Sequence, residues 1–295
     1  MLTKEIPLED TPIRYPGSYL CPGCGAAIEE RIIWETVAET VGRGNVILFG
    51  GGACASGGIR QLTVPTMGLH HSGSVSGATG ILAALRAQGR TDLKVICMNG
   101  DGAIGDIGFH KVSAAANRND DILLFCNDNE AFMNTGIQRS SQTPWGAWTT
   151  TTPKGSQVGW KKDLPKIMAA HGIPYVATAS LAYPNDFKQK VKKAILMNGF
   201  RYIHVHCPCP TGWRFSSSKT VEVARLAVHT GMWNVYEVDQ GQFKITVKPK
   251  ERLPVAEYLR TQGRFRQLDE DQIKYIQTNV DKMWEDLIYM DGKTQ

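Results

Sequence analysis

The chain has 295 residues, 42% of them apolar, with 33 lysines and arginines against 28 aspartates and glutamates. That length fits one α/β domain with a C-terminal appendage, and a net charge of +5 is too small and scattered for a nucleic-acid surface. There is no run of eighteen apolar residues to span a membrane, and residues 1–15 lack the apolar core of a secretory signal.

From the N-terminus, residues 12–19 read as an irregular arm. Cys21-Pro-Gly-Cys24-Gly25 follows. Two thiolates at this spacing on a tight turn can grip one metal centre; a redox dithiol and half of a zinc site are the other readings. Residues 26–41 form a helix with Ile28, Ile32, Ile33, Val37 and Val41 on one stripe. A strand at 44–49 runs into a glycine-rich loop, 50–58, that lets Cys54 approach the same centre. Residues 67–80 read as a loop leading into a helix at 81–88, whose N-terminal end suits a phosphate or cofactor. His70 and His71 in that loop fit a substrate contact or a plain backbone hydrogen bond equally well.

The centre of the chain is residues 95–134. Two apolar runs, 94–98 and 122–126, each stop at small, acidic or amide residues, as buried parallel strands do on entering loops. The Ala-rich segment 109–118 between them completes a right-handed strand–helix–strand crossover. Asp101 and residues 127–129 then fall on the one sheet edge where open α/β sheets bind ligands. Gly100, Gly102 and Gly105 make a formal G-x-G-x-x-G, weak evidence alone for a dinucleotide. Asp101 argues against that reading, because a bare carboxylate repels a pyrophosphate. A divalent cation between them reverses the sign: Mg²⁺ takes few protein oxygens and completes its octahedron with phosphate and water. Asp101 and Asn129 suit that task; the plain alternative is a tight turn with Asp101 as a helix cap.

Residues 142–155, four threonines between tryptophans and prolines, read as an ordered loop over the site. A helix at 164–171, a strand at 175–179, a helix at 186–198 and a strand at 202–206 follow, the last running into Cys207-Pro-Cys209. Cys97 and Cys126 lie inside apolar strands and read as small buried hydrophobes. Seven cysteines, an odd number, give no disulfide scaffold, and reduced thiols imply a cytoplasmic setting. A helix at 219–230, a hairpin at 235–247 and a charged helix at 269–290 read as a tail that packs on a neighbouring subunit, or else as a continuation of the core.

Asn99-Gly100-Asp101-Gly102, followed at the right interval by Asn127-Asp128-Asn129, resembles the thiamine diphosphate motif. The continuation Asn129-Glu-Ala-Phe-Met-Asn-Thr-Gly-Ile-Gln-Arg-Ser140 is similar to the β subunit of the pyruvate:ferredoxin and related 2-oxoacid:ferredoxin oxidoreductases. So are Cys21-Pro-Gly-Cys24-Gly25, Cys209-Pro-Thr-Gly-Trp-Arg-Phe215 and Tyr258-Leu-Arg-Thr-Gln-Gly-Arg-Phe265, so the resemblance spans nearly the whole chain.

The resemblance implies a thiamine diphosphate-binding α/β fold, a mainly parallel sheet flanked by helices in residues 1–212, with an extension, 213–295, packing on partner subunits. It implies Mg²⁺ on Asp101, the Asn129 side chain and the Ala131 carbonyl, and diphosphate along Gly100, Gly102 and Asp106. His71 would lie by the cofactor, and Asn134 would donate to the substrate oxyanion. One [4Fe–4S] cluster would sit on Cys21, Cys24, Cys54 and Cys209, with Cys207 a possible substitute. The implied partners are α-, γ- and δ-type subunits, ferredoxin, coenzyme A and a 2-oxoacid, pyruvate first. The loop at 70–76 departs from the pyruvate-type pattern, which leaves oxalate or an aryl glyoxylate open. The glutamate that thiamine enzymes hold against the aminopyrimidine would come from another subunit, so the chain alone would be inactive. The rival readings are a non-redox enzyme of the acetolactate synthase type and an electron-transfer module without catalysis.

Overall fold

A computed structural model describes residues 19–51, 54, 62–71 and 73–293. Of the expected arm at 12–19 only Tyr19 falls among them, and of the loop at 50–58 only Gly50, Gly51 and Cys54; the rest of both lies outside the described residues. In chain order these residues form α1 (Gly25–Val41), β1 (Val46–Gly50), β2 (Thr66–Gly68), α2 (Gly73–Ala87), β3 (Lys94–Gly100), α3 (Phe109–Asn117), β4 (Ile122–Asp128), α4 (Leu164–Ala170) and β5 (Tyr175–Ser180). They continue with α5 (Pro184–Leu196), β6 (Arg201–His206), α6 (Thr220–Thr230), β7 (Val235–Asp239), β8 (Gln242–Val247), α7 (Val255–Leu259) and α8 (Glu270–Lys293).

The strands make one sheet in the order β2-β1-β3-β4-β6-β5-β7-β8. The first six pair in parallel, and β7 and β8 add an antiparallel edge. Successive residues of the central strands point to opposite faces. Ile96, Met98, Leu123, Phe125, Ile203 and Val205 meet Trp34 and Val37 of α1 and Phe187 and Val191 of α5. Val95, Cys97, Ile122, Leu124 and Cys126 meet α2, α3 and α4 through Val75, Leu82, Val112, Leu164 and Met168. Both faces are covered, which is why these strands read as continuous apolar runs. Each large side chain so buried contributes roughly 1.5–3 kcal/mol.

One helix differs from expectation. The helix expected at 81–88 begins instead at Gly73, and Met67, expected in the loop, lies in β2. Glycines and serines there read as loop signals, but Val75, Ala78, Leu82 and Leu85 recur every three or four residues and are buried against the sheet. Tertiary burial of that stripe overrides weak local propensity.

Residues 213–295 share the sheet with residues 1–212, because β7 pairs with β5. The buried Lys190 of α5 fastens this junction. Its ammonium donates to the Thr178 carbonyl at 2.9 Å, Asp186 Oδ2 at 2.7 Å and Thr246 Oγ1 of β8 at 2.6 Å. Helix α8 packs Leu287 and Trp284 on Tyr236 and Ile245 of the hairpin. Among the described residues no helix is long and apolar enough to cross a membrane.

Candidate active site

Gly100 of β3 stands opposite Asn127 of β4 in parallel register, so Asp101 and residues 127–129 leave the sheet on one edge. Beyond Gly100 the chain enters a helical turn directly and passes through a π turn at Ala103–Ile107, closed by the Gly108 N–H on the Ala103 carbonyl at 2.9 Å. Such π turns often mark functional sites. Asp101 is buried and accepts from Ser140 Oγ at 2.6 Å. Burial and the neighbouring Asp128 push its carboxyl well above the ordinary carboxylate range. Gly102 lies against the Phe132 ring, where a Cβ would stand 2.4 Å from Cε1. Gly105 lies against Ser141 Oγ, a buried hydroxyl without a hydrogen-bond partner. Asp106 accepts the Ser141 N–H at 2.9 Å and faces Lys162 at 3.7 Å. Asn99 Nδ2 donates to Ser74 Oγ at 2.6 Å, which ties the start of α2 to this edge. His71, half-buried, accepts there from Ser74 Oγ through its carbonyl at 3.3 Å, while His70 is exposed.

The loop after β4 carries a buried charge network. Asp128 Oδ2 accepts from Lys161 Nζ at 3.1 Å and pairs with His204 Nε2 at 3.0 Å; the other nitrogen of His204 meets the Tyr202 hydroxyl at 3.1 Å. Lys161 also donates to Glu130 Oε1 at 2.7 Å, and Arg264 reaches Glu130 Oε2 at 2.6 Å. Burial alone would raise both carboxyls, but Lys161, with His204 on Asp128 and Arg264 on Glu130, holds them below the ordinary range. Trp213 Nε1 donates to the Asn129 carbonyl at 2.9 Å, and the Arg264 guanidinium lies 3.7 Å above the Trp213 ring. Asn129 and Ala131 are buried beside this network. Asn134 is exposed on a turn closed by the Phe132 N–H on the Gln138 carbonyl at 2.8 Å. The structure thus gathers Gly100, Asp101, Gly102, Asp106, Asn129 and Ala131 at one edge, with His71 by the adjoining helix start and Asn134 farther out on the surface.

The sequence reading missed Glu130, Lys161, His204 and Arg264 as members of this site. Arg264 and Trp213 sit in segments that carried the family resemblance, which is a usable signal; Lys161 offers none.

All seven cysteines are free thiols. The Cys24 N–H bonds the Cys21 carbonyl at 3.0 Å, closing the turn between them. That turn docks on the distant pair: the Gly25 N–H bonds the Pro208 carbonyl at 3.0 Å, and a Cβ on Gly25 would stand 2.8 Å from that oxygen. Burial, then the nearby Cys24, Cys209 and Cys21, push the Cys54 thiol up to about 12; Asp101 adds to the same rise. Cys209 is pushed up to about 11, chiefly by burial, while its Sγ accepts the Gly212 N–H at 3.3 Å. Cys207 differs: fully buried, it donates to Cys24 and so holds the Cys24 thiol down at about 7. Among the described residues no group of three or more His, Cys, Asp or Glu side chains is arranged to hold a single metal ion.

The thiamine pyrophosphate enzyme C-terminal TPP-binding domain matches residues 55–205, which include every strand-end residue above. The pyruvate synthase subunit PorB of Methanothermobacter marburgensis is 44% identical over 285 residues, covering 92% of this chain and 96% of that subunit. The chain belongs to the thiamine diphosphate-binding subunits of the 2-oxoacid:ferredoxin oxidoreductases. The family also includes the ketoisovalerate oxidoreductase subunit VorB of Pyrococcus abyssi, 40% identical over 290 residues, with 92% of this chain and 91% of that one covered. A 2-oxoglutarate:ferredoxin oxidoreductase from Magnetococcus marinus shares the fold, with a TM-score of 0.63 at 24% identity over 76% of this chain and 82% of that one. Membership in this family bears out the expected α/β thiamine diphosphate-binding fold.

Proposed function

We propose that this chain binds thiamine diphosphate, Mg²⁺ and one [4Fe–4S] cluster within a 2-oxoacid:ferredoxin oxidoreductase whose first substrate is pyruvate. The observation that carries the reading is the closeness of two unlike centres, the strand-end loop and the cysteine group: the Cys207 N–H bonds the Asp128 carbonyl at 2.9 Å, and Ala131, Met133, Cys54 and Cys209 pack in one cluster. When bound, thiamine diphosphate supplies the carbon nucleophile at which 2-oxoacids lose CO₂, and the cluster supplies a one-electron acceptor.

Asp101, the Asn129 side chain and the Ala131 carbonyl are the hard oxygens Mg²⁺ prefers. They fit it electrostatically too, since burial and the neighbouring Asp128 hold the Asp101 carboxyl well above the ordinary range, a penalty that a divalent cation there would relieve. Gly100, Gly102 and Asp106 would line the diphosphate, with His71 nearby. Asn134 would turn its amide to the substrate oxyanion, a contact that strengthens as charge develops. Cys21, Cys24, Cys54 and Cys209 would hold the cluster. Cys209 packs in the same cluster as Cys54 and Ala131, which favours it over Cys207 as the fourth ligand.

The exposed Tyr275 and Tyr289 on α8 would face a partner subunit, and a partner would supply the aminopyrimidine glutamate, coenzyme A and the onward path to ferredoxin. Relatives named for pyruvate and for ketoisovalerate, with the altered loop at 70–76, favour a branched 2-oxoacid as the second reading. The test is the assembled complex assayed with coenzyme A and ferredoxin against pyruvate, 2-oxoisovalerate, oxalate and an aryl glyoxylate. Pyruvate should give the highest kcat/KM, and the complex should show visible absorption that bleaches on reduction. A colourless complex that still decarboxylates pyruvate overturns the redox reading.

A further inference from the structure

We infer that Lys161 and Arg264 are positioning residues which, by gripping Glu130 from two sides, fix the backbone at 129–131 so that Asn129 and Ala131 face the Asp101 edge. This rests on the thiamine diphosphate reading above and deepens it.

Glu130 is the odd residue of the loop. Its φ is +64°, a left-handed conformation costly for any residue with a Cβ. Such a conformation persists only where the surroundings over-determine it, and here they do. The Glu130 N–H donates to Asp128 Oδ1 at 2.9 Å, and its carbonyl accepts from Thr143 Oγ1 at 2.7 Å. Oε1 is held by Lys161 and Oε2 by Arg264. Three of its polar atoms are hydrogen-bonded and the fourth, Oε2, is ion-paired to Arg264, each to a different residue. The preceding carbonyl, that of Asn129, is held in turn by Trp213, on which Arg264 stacks.

Arg264 is itself oriented, since its Nε donates to Gln262 Oε1 at 2.9 Å. Its planar fork can pair with Oε2 and lie flat on an indole at once, which a lysine cannot do. Lys161 serves two carboxylates and ties Glu130 to the end of β4 through Asp128. Arg264 acts through Glu130 and Trp213, while Lys161 holds both Glu130 and Asp128. The C-terminal segment 258–265 thereby bears on the strand-end loop through Glu130 and Trp213.

The test compares the assembled complex carrying Arg264→Met or Arg264→Lys with wild type. Thiamine diphosphate affinity is measured by calorimetry at saturating Mg²⁺, alongside the melting temperature with and without cofactor. Arg264→Met should weaken cofactor binding by about 10- to 100-fold and shrink the cofactor-induced rise in melting temperature; Arg264→Lys should recover part of both. A merely structural residue would lower the cofactor-free melting temperature and leave the affinity unchanged, and that result overturns the inference. If Arg264→Met does not assemble, Glu130→Gln keeps the side-chain shape and removes the charge; wild-type affinity in that variant is equally fatal. Wild type failing to bind thiamine diphosphate at all would instead sink the reading on which the inference rests.

Discussion

Gly102→Ala tests the geometry of the cofactor edge directly. A Cβ at this position would stand 2.4 Å from Phe132 Cε1 and 2.7 Å from both Cδ1 and Cζ. Comfortable carbon contacts lie at about 3.5–4.0 Å, so the ring has to retreat by about 1 Å. It cannot do so freely, because the Phe132 N–H is bonded to the Gln138 carbonyl at 2.8 Å and its carbonyl accepts the Ile137 N–H at 3.1 Å. Overpacking of this kind costs about 1–3 kcal/mol. If the strain falls on the cofactor-bound form, thiamine diphosphate binding weakens by about 5- to 150-fold. Calorimetric titration of the assembled complex at saturating Mg²⁺ reads the affinity, and thermal melting reads the strain. Adding Phe132→Ala should relieve the clash and restore the melting temperature; affinity that stays low in the double variant would mean the glycine itself is needed against the diphosphate. Wild-type affinity and melting in Gly102→Ala alone would refute the contact.

Asp101→Ala in the complex should abolish both Mg²⁺-dependent thiamine diphosphate binding and 2-oxoacid oxidation; oxidation that survives without cofactor binding would remove Asp101 from the site. Cys209→Ser should lower the iron content of the purified complex by about four atoms per copy of this chain and Cys207→Ser should leave it unchanged, and the reverse pattern would exchange their roles. His206 is buried, and that burial holds its imidazole down at about 3 despite Glu130 and Asp128 nearby, with Lys161 and Arg264 opposing protonation. Because its folded pKa lies below the unfolded value near 6.5, its stabilising contribution is fully present above pH ~6.5 and falls as the pH drops toward 3. That loss is about 2 kcal/mol at pH 5, so His206→Gln should flatten the decline in melting temperature between pH 6.5 and 5; an unchanged slope would exclude His206 as its source.

The crossover of β3, α3 and β4 was legible because two-sided burial writes unbroken apolar runs, and their polar ends mark the ligand edge. The family resemblance fixed the cofactor class through Asn99–Gly102 and Asn127–Asn129. The start of α2 was not legible: Gly73, Gly77 and Gly80 carry no local helical signal, and only packing of Val75 and Leu82 on the sheet makes a helix of them. Nor was the Lys161–Glu130–Arg264 network. Its ion pairs join residues 31 and 134 positions apart, and nothing in the local pattern at Lys161 distinguishes a buried bridge from a solvated lysine. The hairpin read correctly as two alternating strands, but which edge it would join is a tertiary fact.

The Lys190 ammonium sets an order of events during synthesis. Two of its acceptors, Thr178 and Asp186, leave the ribosome before it, but the third arrives 56 residues later with Thr246. Until then a cation beneath α5 is one partner short, a deficit of about 1–3 kcal/mol. The parallel strands can assemble early, but the layer over them gains its full stability only once the last strand has been translated.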